Sequence, residues 1–126
     1  MASNLNQLLS SISYQNPHIV REHLSALHQN LPSLTPNIGT LIHNDGLETT
    51  QVVLSGTVPI IYKNVTYNIP VDVFILAEYP VKHPLVYVRP TSNMMIKPSH
   101  SFVDNNGYVN TNIVLTRYVH FYFLLL

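Results

Sequence analysis

Two tyrosines flank a short polar turn in the stretch Tyr62-Lys-Asn-Val-Thr-Tyr-Asn-Ile-Pro70. Aromatic rings beside such a turn suit an extended, proline-containing peptide, because that peptide is already stiff in the polyproline II form and loses little entropy on docking. The same pattern is typical of a hairpin with two tyrosines packed at its rim. The stretch alone therefore leaves peptide binding and structural packing both open.

Histidines beside carboxylates are the other residues whose types are suited to catalysis. His43 near Asp45, and His100 near Asp104, have the composition of acid–base pairs. Neither pair is accompanied by a nucleophile or by the spacing of metal ligands, and the chain has no cysteine. The absence of cysteine excludes thiolate metal ligands and every mechanism with a thiol nucleophile. The sequence thus predicts a protein that is not an enzyme, with no metal site and no cofactor.

Composition narrows the classes of partner. The chain has 126 residues, enough for one domain, and 46% of them are hydrophobic. Only 10% are charged, six basic and six acidic, with no basic cluster. Binding to nucleic acid is therefore not expected. No transmembrane segment is expected either, because the apolar run from Tyr118 to Leu126 is shorter than the roughly 20 residues that span a bilayer.

Hydrophobic periodicity predicts helices in the first quarter of the chain. The residues Leu5, Leu8, Leu9 and Ile12 lie on one helical face, and Val20, Leu24, Leu27 and Leu31 repeat at four, three and four. Asn16-Pro17 has the form of an N-cap followed by proline at the first helical position. We predict a helix from Pro17 to Asn30 that ends before Pro32.

Strands are predicted after residue 40. The segment from Leu31 to Thr40 contains two prolines and a glycine and is interpreted as a connection, with Thr40–His43 as a short edge strand and Asn44-Asp45-Gly46 as a turn. Further strands are predicted at Thr49–Val58, Val65–Ile69, Val71–Leu76 and Leu85–Val88, with Pro70 interrupting the middle pair. This order predicts an α+β fold in which an N-terminal helix packs on a four-stranded antiparallel meander.

Five motifs occur here in one order and together resemble a known family. They are Ser55-Gly-Thr-Val-Pro-Ile-Ile-Tyr62, Thr66-Tyr-Asn-Ile-Pro70, Tyr79-Pro80, Val88-Arg-Pro-Thr-Ser92 with Met94, and His100 followed by Val103-Asp104 and Gly107. The set resembles the ubiquitin-conjugating-enzyme variant (UEV) domain of the ESCRT-I tumour-susceptibility family, from about Tyr14 to Asn110. The resemblance implies the ubiquitin-conjugating-enzyme-like fold. It stops after Asn110, so we predict an incomplete UEV domain at residues 1–110, a divergent apolar tail at 111–126, and the C-terminal helices missing.

The resemblance implies two binding sites. One is a groove for Pro-Thr/Ser-Ala-Pro motifs. Its matched positions are Thr57, Tyr62, Tyr67, Asn68, Pro70 and Met94. The other binds ubiquitin through a hairpin tip and a neighbouring strand. Its matched positions are Ile42, Asn44, Asp45 and Tyr87. The structural alternative for the ubiquitin site is that residues 44–46 are only a turn. For the peptide site, it is that Met94 and Pro70 pack in the core or in a loop.

A conjugating enzyme carries ubiquitin on a cysteine, and the resemblance places Asn110 at that position. An asparagine forms no thioester. The resemblance therefore implies a non-catalytic adaptor for ubiquitinated cargo and proline-rich motif proteins in ESCRT-I endosomal sorting, cytoplasmic and peripheral to endosomes, with other ESCRT-I subunits as further partners. The alternatives are an inactive variant that acts as a cofactor in ubiquitin-chain assembly, and a truncated product without function.

Overall fold

Two helices precede a single antiparallel sheet in the computed structural model of the chain. The structure describes residues 2–92 and 103–109, with the backbone alone for residues 2–4 and 60–62. The elements are helices α1 (Ala2–Ser10) and α2 (Pro17–Asn30) and strands β1 (Thr35–Ile42), β2 (Glu48–Tyr62), β3 (Val65–Ile75) and β4 (Leu85–Val88). Among the helices described, none is long and apolar enough to cross a membrane.

The four strands form a meander in the order β1-β2-β3-β4, each antiparallel to its neighbour. Side chains of successive strand residues point to opposite faces, so one face of the sheet is apolar and packs against the helices. The buried core includes Leu5, Leu9, Val20 and Leu24 from the helices and Val52, Leu54, Val58, Val71, Val73, Ile75 and Val86 from the sheet. The predicted α+β architecture is confirmed.

Helix α2 has the bounds that its periodicity predicts, with Pro17 in the first turn. Asn16 occupies the N-cap position, but its side chain makes no capping hydrogen bond. The first apolar segment forms α1, which ends at Ser10, while Ile12 lies beyond it and still packs against the core.

The observed strand bounds differ most from the predicted ones at prolines. β1 begins at Thr35 and includes Pro36, so the predicted connection from Leu31 to Thr40 is wrong over its second half. An edge strand has one unpaired side and tolerates the missing N–H of proline. β3 likewise runs through Pro70, whose carbonyl oxygen accepts a hydrogen bond from the Arg89 N–H at 2.8 Å.

The β2–β3 connection is a two-residue turn at Lys63 and Asn64, which have φ of 51° and 63°. Two positive φ angles give the turn a twist that matches that of the flanking strands. The hairpin predicted around Tyr62–Pro70 is therefore present, and both of its strands extend beyond the predicted bounds. The Tyr79-Pro80 peptide bond, one of the two X-Pro bonds in the β3–β4 connection, is cis.

Tyr14 joins the α1–α2 connection to the middle of the sheet. Its buried hydroxyl donates to the Ile75 carbonyl at 2.7 Å and accepts from the Val52 N–H at 2.9 Å. Burial raises the pKa of Tyr14 to about 12, and the hydrogen bond from Val52 opposes that rise.

We expect the free energy of unfolding to fall as the pH rises from 10 towards 12. An unfolded tyrosine loses its proton near pH 10, whereas the folded Tyr14 keeps it up to about pH 12, so the unfolded state binds fewer protons in this window. In Tyr14→Phe the fall should be shallower, and stability at neutral pH should be lower by about 1–2 kcal/mol because two buried backbone groups lose their partner. Denaturant unfolding at pH 7 and between pH 9 and 12 measures both effects.

The buried Tyr79 and the partly buried Tyr87 also have raised pKa values, chiefly because of burial, and they contribute equally to both proteins. The informative quantity is the difference in slope between the wild type and Tyr14→Phe. Parallel curves above pH 10 would contradict the assignment.

Candidate functional site

The β1–β2 hairpin ends in a closed turn at residues 43–47. The Gly46 N–H donates to the His43 carbonyl at 2.8 Å, and the His43 N–H donates to the Leu47 carbonyl at 2.8 Å. The Asp45 carboxylate accepts from the Leu47 N–H at 3.0 Å. Gly46 has a φ of +85°, which a side chain rarely allows. The turn holds two apolar side chains in solvent, Ile42 at 69% and Leu47 at 62% exposure.

A cleft of about 280 Å³ separates this hairpin from β4. It is lined by Leu41, Ile42, His43, Asn44, Leu85, Tyr87, Asp104, Asn106 and Tyr108. Three of the four residues predicted for ubiquitin binding, Ile42, Asn44 and Tyr87, therefore meet at one cavity. Asp45 follows Asn44 in the turn and does not line it.

The second wall of the cleft is a turn at residues 103–109. Asp104 organises it, because its Oδ1 accepts the N–H groups of Asn106 at 2.8 Å and Tyr108 at 3.0 Å. Two hydrogen bonds attach the turn to β4, from the Val88 N–H to the Gly107 carbonyl and from the Val109 N–H to the Val86 carbonyl. Sequence reasoning missed this wall, although Asn105-Asn106-Gly107 marked the turn and an aromatic residue follows it directly.

Tyr87 is held by aromatic and cationic neighbours. Its ring centroid lies 5.4 Å from that of Tyr108 and 5.7 Å from that of Phe74, and the Arg89 guanidinium lies 4.9 Å from its centre. Burial raises the pKa of Tyr87; Tyr108 and Asp104 add to the rise, and Arg89 opposes it. Tyr87 therefore presents a neutral hydroxyl on a fixed ring at neutral pH.

The predicted peptide positions lie along the β2–β3 ladder. Thr57 pairs with Pro70, Asn68 with Pro59, and Tyr67 with Ile60. Alternation along a strand places Thr57, Asn68 and Pro70 on one face and Tyr67, which is 47% exposed, on the other. The structure thus groups three of the predicted residues and separates Tyr67 from them. Met94 and the side chain of Tyr62 lie outside the described residues.

A family model for the UEV domain matches residues 4–121. The chain belongs to the UEV-domain family. The family predicted from the motifs is thereby confirmed. The match extends past Asn110; the boundary at 110, the apolar tail at 111–126 and the missing C-terminal helices lie outside the described residues and stay predictions.

Curated relatives are similar to most of this UEV domain. Protein ELC of Arabidopsis thaliana is 41% identical over 103 residues, covering 80% of this chain and 26% of ELC. The human Tumor susceptibility gene 101 protein is 35% identical over 107 residues, covering 85% of this chain and 27% of the human protein. The chain therefore spans about a quarter of the length of these relatives.

Two solved structures resemble the UEV domain in three dimensions. The yeast vps23 UEV domain in complex with a vps27 PSDP peptide gives a TM-score of 0.77 at 22% identity, covering 92% of this chain and 78% of that one. A complex of the Vps23 UEV with ubiquitin gives 0.68 at 26% identity, covering 89% and 78%. The predicted ubiquitin-conjugating-enzyme-like fold is confirmed.

Geometry at the cleft of this UEV domain gives no support to acid–base chemistry. His43 Nε2 lies 2.8 Å from the Thr49 hydroxyl, and the Asp45 carboxylate is used by the Leu47 N–H. Within residues 2–92 and 103–109, no three histidine, aspartate or glutamate residues are grouped as metal ligands. His100 and Asn110 lie outside the described residues.

Proposed function

We propose that this UEV domain is a non-catalytic adaptor that binds ubiquitin in the cleft and Pro-Thr/Ser-Ala-Pro-type peptides along the β2–β3 ladder. The observation that carries the proposal is the meeting of Ile42 and Asn44 with Tyr87 at one cavity. Tyr87 is more than 40 positions away from Ile42 and Asn44 in the sequence, so the sheet brings them together.

The chemistry of the cleft suits a weak, reversible protein interface. Apolar Leu41 and Leu85 and the tyrosine rings provide area to be desolvated, and Asn44, Asn106 and Asp104 form a polar rim. The cleft is also rimmed by the exposed Ile42, which a partner can cover on binding. A similar structure, the Vps23 UEV, is solved as a complex with ubiquitin.

Peptide binding has separate support. Asn68 is exposed and offers both a donor and an acceptor to a peptide backbone. Thr57 and Pro70, directly paired and half-buried, form a small surface beside it. The vps23 UEV domain, which shares the fold, is solved with a PSDP peptide.

The remaining parts of the proposal concern the longer protein context. We place the domain in ESCRT-I sorting of ubiquitinated cargo at endosomes, with other ESCRT-I subunits as partners, because its relatives include the human Tumor susceptibility gene 101 protein and the "ESCRT-I complex subunit tsg101" of Dictyostelium discoideum. The absence of cysteine, with Asn110 at the predicted position of the nucleophile, supports a binding role without transfer.

NMR titrations with ubiquitin and with a Pro-Thr-Ala-Pro peptide test the proposal. We expect ubiquitin to shift the resonances of Ile42 and Asp45, and the peptide to shift those of Thr57 and Asn68. Asn68→Ala should weaken peptide binding by about tenfold, since it removes an exposed donor and acceptor on the face that Thr57 and Pro70 share, and should leave the affinity for ubiquitin within about twofold.

Two results would count against the proposal. The first is absence of shifts with both ligands in a folded sample, and the second is a common set of shifts for both. If the domain instead stimulates chain formation by an active conjugating enzyme without binding the peptide, the role as a cofactor in ubiquitin-chain assembly is the better assignment.

A further inference from the structure

A chain of hydrogen bonds runs from the interior of the β1–β2 pair to the cleft. Gln51 is only 1% exposed, and its Nε2 donates to the Gly39 carbonyl at 3.0 Å. Its Oε1 accepts from the Thr49 hydroxyl at 2.7 Å. The oxygen of that hydroxyl lies 2.8 Å from His43 Nε2, and His43 lines the cleft.

The buried end of this series of hydrogen bonds determines which atom is the donor in each of them. A carbonyl oxygen only accepts, so the NH₂ group of Gln51 must face Gly39 and its Oε1 must face Thr49. The single hydroxyl hydrogen of Thr49 is then used by Gln51. His43 Nε2 must therefore be the donor to Thr49.

One consequence concerns the other ring nitrogen of His43. A neutral imidazole carries one N–H, so with that hydrogen on Nε2 the Nδ1 atom keeps its lone pair. Within the part of the chain that the structure describes, no hydrogen bond is made to Nδ1. His43, which lines the cleft, thus has a ring nitrogen that accepts no hydrogen bond from the described part of the chain.

We propose that His43 Nδ1 accepts a hydrogen bond from ubiquitin, and that Thr49 and Gln51 are positioning residues that hold the ring in the accepting tautomer. This inference rests on the proposed ubiquitin-binding function.

The test uses two substitutions at His43, each of which keeps the hydrogen-bonding role of one ring nitrogen. His43→Asn can place an oxygen near the position of Nδ1 and cannot be protonated. His43→Gln can reach Thr49 in place of Nε2 but leaves no acceptor at Nδ1. The dissociation constant for ubiquitin would be measured by NMR titration at pH 7.5, with thermal unfolding as the check that each variant is folded.

We expect His43→Asn to bind ubiquitin within about threefold of the wild type at pH 7.5, because its side-chain oxygen replaces the acceptor. His43→Gln should bind about tenfold more weakly at pH 7.5. The ¹⁵N shifts of the imidazole should show the Nε2–H tautomer in the free wild type and a mixture of tautomers in Thr49→Val.

Equal affinities of the wild type and His43→Gln would overturn the inference and leave the proposed function standing. An Nδ1–H tautomer in the free wild type would overturn it as well. If the folded wild type does not bind ubiquitin at pH 7.5, the proposed function itself fails, and the inference fails with it.

Discussion

Gly56→Ala is expected to destabilise the fold by about 3 kcal/mol. A Cβ atom at Gly56 would lie 2.1 Å from the Ser33 carbonyl oxygen and 2.7 Å from its carbon. Both are backbone atoms, so no change of rotamer relieves the contact. The connection is also fixed beside the clash, because Leu31 and Leu34 are buried at 4% and 1% exposure.

The matched control is Gly46→Ala in the hairpin turn. Gly46 has a φ of +85°, but a Cβ atom there would meet nothing within 4 Å. The loss of stability in Gly46→Ala should therefore come only from the left-handed backbone conformation, which costs about 1 kcal/mol. Urea unfolding of the two variants and the wild type measures the difference. A loss for Gly56→Ala no larger than that for Gly46→Ala would show that the α2–β1 connection moves away without cost.

Ile42→Asp is expected to reduce ubiquitin affinity at least about thirtyfold. Ile42 is 69% exposed, so the substitution should leave folding almost unchanged. It removes an apolar contact at the cleft and adds a carboxylate to a rim that already contains Asp104 and lies beside Asp45. Desolvating this extra charge on binding is unfavourable unless ubiquitin pairs with it.

Leu47→Asp provides the control within the same hairpin. Leu47 is 62% exposed and pairs through its carbonyl with the His43 N–H, but it does not line the cleft. We expect its affinity for ubiquitin to change less than about threefold, and peptide binding to be unchanged in both variants. NMR titration measures all four constants. Similar losses at positions 42 and 47 would place ubiquitin on the hairpin as a whole and not in the cleft.

The elements that were predicted well have local causes. Helix α2 follows from an apolar repeat and a proline at its start, and β4 from a short β-rich run. The errors in the strand bounds fell at prolines. The rule that proline interrupts a central strand is correct, but the position of the strand in the sheet decides whether it applies. Pro36 is tolerated because β1 lies at the edge of the described sheet, and an edge is defined by which strands pair.

The site residues likewise divide into those that the sequence predicted and those that only the structure revealed. The motifs identified Ile42, Asn44, Asp45 and Tyr87 as one site, and the structure brings three of them to one cleft. Tyr108 was missed because its contact with Tyr87 depends on hydrogen bonds between the turn at 103–109 and β4. For the peptide site, Tyr67 and Asn68 point to opposite faces of β3 because they are consecutive residues of a strand, and the motif match took no account of this alternation.

By itself, the sequence determined the family, the α+β class and the absence of a thiol, because these depend on residue types, local periodicity and ordered motifs. Only the tertiary structure decided that the hairpin and β4 enclose a common cleft, and that His43 bonds to Thr49 and not to Asp45. The physical reason is that hydrogen-bond direction and cavity shape depend on strand register and on contacts between distant residues, which no local pattern specifies.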